Sequence, residues 1–118
     1  MEVSGVCPRE CTIRHGEYAI YCTMPEPHGA HEYGSKICVI KYGASAVVYV
    51  ACLYEDGYVE VRGPSQCVGM APKPNLRELC GMVIEAASTL SLEAFKNLAN
   101  RIVGSLGECA STVNVNNL

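Results

Sequence analysis

Cys22, His28 and His31 are the residues whose types and spacing come nearest to a chemical site, with Cys11 and His15 close by in sequence. Thiolate sulfur and imidazole nitrogen are the ligands zinc prefers, and a strand end meeting a loop could bring them together. Pro25, Pro27 and Gly29 exclude a helix here, so His28 and His31 do not gain the shared face that helical spacing would supply. The same residues could act as a Cys–His nucleophile pair. That needs a helix N-terminus or nearby cations to lower the thiol pKa, and the surrounding sequence offers neither. The expectation is ordinary loop histidines, with Cys22, His28 and His31 kept as the candidate metal or thiol-redox set.

Other catalytic patterns are missing. Gly43-Ala44-Ser45-Ala46 has no Lys and precedes a strand, so it is no phosphate loop. Nucleophile-elbow, H-E-x-x-H and paired-carboxylate patterns do not occur. The chain is expected to be non-enzymatic and to carry no cofactor.

Eight cysteines in 118 residues are harder to dismiss. They fall at Cys7, Cys11, Cys22, Cys38, Cys52, Cys67, Cys80 and Cys109, with no C-x-x-C anywhere. Cys7 and Cys11 form a C-x3-C pair that could chelate zinc, but no partner knuckle accompanies it. The N-terminal residues lack the charged and apolar regions of a secretory leader, and no apolar run is long enough to span a membrane. A cytoplasmic protein with no membrane contact is the expectation. Thiols there are usually reduced, except inside hyperthermophiles, where structural disulfides persist. A single Gln fits that thermophile-like reading; six Asn and 18% charged residues fit it less well. Structural disulfides are preferred over buried thiols, with metal or redox chemistry third. The candidates are Cys52 with Cys80 across the core, and Cys7, Cys11 and Cys109 as ties for loose ends.

The elements that would position these residues follow from periodicity. A chain of 12.7 kDa with 49% hydrophobic residues reads as one globular domain, residues 1–118. Residues 1–16 have no clear period and read as an irregular lead. Strands are expected over 17–24, with Tyr18, Ile20, Cys22 and Met24 on one face, and over 36–42. A loop covers 25–35. A central, fully covered strand follows over 46–54, and another over 58–62. A further short strand near Cys67–Met70 is only hinted at, which makes about four strands within residues 17–71. Residues 75–107 change to helical spacing. Asn75 and Ser91 are N-caps, Glu78 stands at the capping-box position, and Gly107 stops the second helix. Residues 108–118 read as a frayed tail. Strands first and helices last give an α+β fold: an antiparallel meander with two C-terminal helices packed on one face.

Asp56-Gly57 reads as a two-residue type I′ turn. That register opposes Tyr54 to Val59 and puts Val48, Val50, Cys52, Tyr54, Val59 and Val61 in the core. Tyr49, Tyr58 and Arg62 then lie on the outer face as candidate binding residues, beside Glu60. Aromatics on an open sheet can stack single-stranded bases. A net charge of −3, a pI near 5.5 and nine dispersed basic residues disfavour a nucleic-acid partner. Tyr and Arg are equally suited to a protein contact. The second helix keeps a Leu92, Phe95, Ala99, Ile102, Leu106 seam for two heptads, too short for a coiled coil. The favoured reading is a small disulfide-stabilised interaction module that self-associates as a homodimer.

Overall fold

A computed structural model of the chain describes residues 10–23, 35–72 and 74–115. Six strands form one antiparallel sheet in chain order: β1 Glu10–His15, β2 Tyr18–Thr23, β3 Lys36–Tyr42, β4 Val47–Tyr54, β5 Tyr58–Arg62 and β6 Cys67–Met70. Helices α1 (Leu76–Thr89) and α2 (Leu92–Gly104) follow, then a 3-10 helix over Gly107–Thr112. The α+β meander is as expected, with six strands in place of four.

The extra strands come from both ends. Residues 10–15, read as irregular, are β1; Cys11, Ile13 and His15 alternate inward against Cys22, Ile20 and Tyr18 of β2. The two-residue loop Gly16-Glu17 has Gly16 at φ +59, as a type II′ turn requires at its first central position. β6 pairs with β5 from Tyr58–Met70 to Val61–Cys67.

The turn at Asp56-Gly57 differs from its expected form, and the difference moves a whole strand. A type I′ turn needs positive φ at both central residues, but here only Gly57 has it, at +97. The Gly57 N–H donates to the Tyr54 carbonyl at 2.9 Å, closing a turn over Glu55 and Asp56. The Tyr58 N–H donates to the Asp56 side chain, which fixes the exit. The loop therefore holds three residues, and Leu53 faces Val59 instead of Glu60. One residue of slip reverses every side chain of β4. Tyr49, Ala51 and Leu53 point into the core with Val59 and Val61, while Val48, Val50, Cys52 and Tyr54 share the outer face. Nor is β4 covered on both faces, since Val48 is 37% exposed.

Both helices begin at their sequence signals, but α2 ends at Gly104, short of the stop expected at Gly107. The Asn75 side chain accepts from the Glu78 N–H, and Ser91 accepts from Ala94 N–H. Leu79, Cys80, Val83 and Ala86 of α1 and Phe95, Leu98, Ala99 and Ile102 of α2 are buried. Arg101 reaches Glu78 at 2.6 Å across the two helices. Fully burying an aliphatic or aromatic side chain is worth about 1.5–3 kcal/mol, so packing these residues on the sheet is a large favourable contribution. Leu90 and Leu92, at the connection, are left exposed.

The described part of the segment expected to fray, residues 108–115, is instead fastened. Gly107, at φ +63, lies against Ala71 and redirects the chain into the 3-10 helix. There Cys109 is buried and bonded to Cys67 of β6; Val113 and Val115 are buried as well. Cys67 and Cys109 are 42 positions apart in the chain. Replacing both by Ala should cost about 2–4 kcal/mol through restored freedom of the unfolded chain. The urea midpoint reads this directly; an unchanged midpoint would show that the bridge anchors nothing.

Candidate functional site

Two places bring chemistry-bearing residues together, one on each face of the sheet. The outer face is set by strand alternation. Tyr54 and Tyr58 flank the three-residue loop, with ring centroids 5.3 Å apart. The Lys36 ammonium sits 5.7 Å from the Tyr54 ring centroid, within cation–π range. Glu60 follows Tyr58 on the same side of β5, then Arg62, whose Nε donates to the Glu60 carboxylate at 2.7 Å. That contact raises the Arg62 pKa and keeps the guanidinium charged. Lys36, Val50, Cys52, Tyr54, Glu60 and Arg62 surround a shallow depression of about 160 Å³. Small-molecule pockets usually occupy 300–1,000 Å³. This is a textured surface, not a ligand cavity.

Of the three expected binding-face residues, Tyr58 and Arg62 are on this surface and Tyr49 is not. Tyr49 points inward and is 8% exposed. Its hydroxyl donates to the Asn114 carbonyl at 3.0 Å, as does that of Tyr18 at 3.4 Å. Tyr54 takes the place assigned to Tyr49. The signal that could have found it is Glu55-Asp56-Gly57, a type I turn closed by a left-handed glycine.

The cysteines pair by register. Cys38 and Cys52, directly opposite on β3 and β4, form a disulfide on the outer face. The expected Cys52–Cys80 bridge is therefore wrong: the slip carries Cys52 to the face away from α1. Cys80 is itself disulfide-bonded. Cys109 does tie down a chain end, through Cys67. Cys11 and Cys22, opposite on β1 and β2, keep free thiols with Sγ atoms 3.0 Å apart on the inward face. His15 lies 4.9 Å from the Phe95 ring, centroid to centroid. Cys7, His28 and His31 lie outside the described residues. Among the described residues no group of three or more His, Cys, Asp or Glu is placed to hold a metal ion. Among the described residues no helix is long and apolar enough to cross a membrane.

No family model, curated protein or solved structure matches the chain.

Tyr49 yields a pH dependence. Burial, with Tyr18 nearby, pushes its phenol up to about 12, from an ordinary value of 10.0. The folded state thus holds its proton more tightly than the unfolded state. The associated stability, on the order of 2–3 kcal/mol, is complete below pH 10 and disappears as pH rises toward 12. Tyr49→Phe should flatten the alkaline fall in stability over that window. An equally steep fall in the variant would place the titration elsewhere.

Proposed function

We propose that this chain is a non-enzymatic interaction module, stabilised by disulfides, whose open sheet face binds a second copy of itself. The observation carrying this reading is the composition of that face. Val68 and Met70 on β6 are 63% and 67% exposed, and they stand directly opposite Glu60 and Tyr58 of β5. With Tyr54, they make a patch of Tyr, Met and branched aliphatic side chains, bordered by Lys36 and Arg62. Aromatic residues, Met and Arg are the types enriched in protein interfaces. A two-fold contact must be self-complementary, and this face carries both signs within one strand, Glu60 and Arg62. An antiparallel copy can set the Arg62 of one subunit against the Glu60 of the other.

A nucleic-acid partner is the second reading, favoured by the stacked Tyr54 and Tyr58 beside Lys36. Against it, Glu60 already engages Arg62, and its carboxylate would repel a phosphate chain. The cytoplasmic setting expected from sequence accommodates the Cys38–Cys52 and Cys67–Cys109 bridges only in a cell interior like that of a hyperthermophile.

Light scattering tests the proposal. The wild type should run at twice 12.7 kDa. Met70→Glu should shift it to the monomer with its circular dichroism unchanged, and Leu90→Glu, at the helix connection, should leave the dimer intact. A wild-type monomer at high micromolar concentration would sink the reading. Salt-sensitive binding of a single-stranded oligonucleotide, lost in Lys36→Ala, would replace it with the second.

A further inference from the structure

We propose that Cys11 and Cys22 form a thiol–disulfide exchange site that reacts with low-molecular-weight disulfides. It stands apart from the binding face, because these residues occupy the other side of the sheet. The geometry begins with register: β1 and β2 place the two residues directly opposite, with sulfurs 3.0 Å apart. A disulfide needs about 2.05 Å, so closing the bond shifts side chains and leaves the strand pairing in place. The same sheet already accommodates one bond between directly opposed cysteines, Cys38–Cys52.

The two thiols are unequal in the way exchange requires. β1 is the outermost strand of the sheet, and Cys11 is partly exposed there. Cys22 is 1% exposed and belongs to the core cluster with Ile37 and Leu53. An incoming disulfide can therefore reach Cys11 and not Cys22. The hydrogen bond between them lowers the Cys11 pKa and raises that of Cys22, which burial raises further. Cys11 is thus the better thiolate at neutral pH and Cys22 the protonated partner.

The Cys11 thiolate attacks one sulfur of a disulfide RSSR and displaces RS⁻, leaving a mixed disulfide on Cys11. Cys22 then gives up its proton and attacks the Cys11 sulfur, expelling the second RS⁻. Two protein thiols are oxidised to one bond, RSSR is reduced, and the two released protons yield two RSH. The product joins the edge strand to its neighbour, and reduction by excess thiol reverses both steps.

Oxidised glutathione is the probe, applied to the folded protein, with intact mass and alkylation after acid quenching and unfolding as the readout. After mild native reduction, peptide mapping should find alkylation at Cys11 and Cys22, with the Cys67–Cys109 bridge retained. Oxidised glutathione should then remove both alkylation sites and leave no adduct. Cys22→Ser should trap one glutathione on Cys11, and Cys11→Ser should react more than about tenfold slower. Three results overturn the proposal: both thiols still alkylatable after prolonged oxidant, glutathione retained on the wild type, or a Cys11–Cys22 bond that resists native reduction. The wild-type measurements need no variant to fold.

Discussion

Ile13, Ile20, Val39, Ala51, Val61 and Cys67 form one row across all six strands, and they lie in or against the core that Phe95, Leu98 and Ile102 help build. The helices cover only this side of the sheet. Because strand side chains alternate, covering one face assigns every strand residue to the core or to the outside. Which tyrosines face outward, which cysteines can meet and which charges stay solvated all follow from that assignment. The pairing of β4 with β5 matters most, since a slip of one residue there would bury Tyr54 and expose Leu53.

That dependence explains what the sequence conveyed. Helix caps at Asn75 and Ser91 are local signals, and the helices begin where those residues say. The inward residues of β2 and β5 were legible because each of these strands alternates over its own length, whereas β3, apolar from Ile37 to Ile40, was placed as a strand without a face. β4 was not: Val47 to Leu53 is apolar at every position, so periodicity could not choose a face. The choice passed to the turn, where two loop residues or three suit Asp-Gly equally well. β1 was overlooked because only Ile13 is strongly apolar in it, and Cys11 and His15 gave its inward face little contrast.

The cysteine pattern is likewise a register property. Cys11–Cys22 and Cys38–Cys52 are both directly opposed cross-strand pairs, yet their separations of 11 and 14 residues give no hint of it. Once register is known, each pair's environment follows from parity. Cys38–Cys52 lies on the outer face, while Cys11–Cys22 lies inward at the sheet's margin, one residue partly exposed and one buried. Of the candidate set Cys22, His28 and His31, only Cys22 lies within the described residues, and there it meets Cys11 of β1.

The same one-sided burial explains why the C-terminal segment must be held. A sheet edge and the gap beside α2 would be wet if residues 107–115 were loose, because Val61 and Cys67 reach that margin. The chain closes it with three different interactions: the Cys67–Cys109 bond, burial of Val113 and Val115, and the hydroxyls of Tyr18 and Tyr49 on the Asn114 carbonyl. Tyr49 can donate there only because the three-residue loop turned it inward. The residue that register took from the outer face is thus the one that seals the opposite side, and Tyr54, released from the core by the same slip, supplies the outer aromatic surface in its stead.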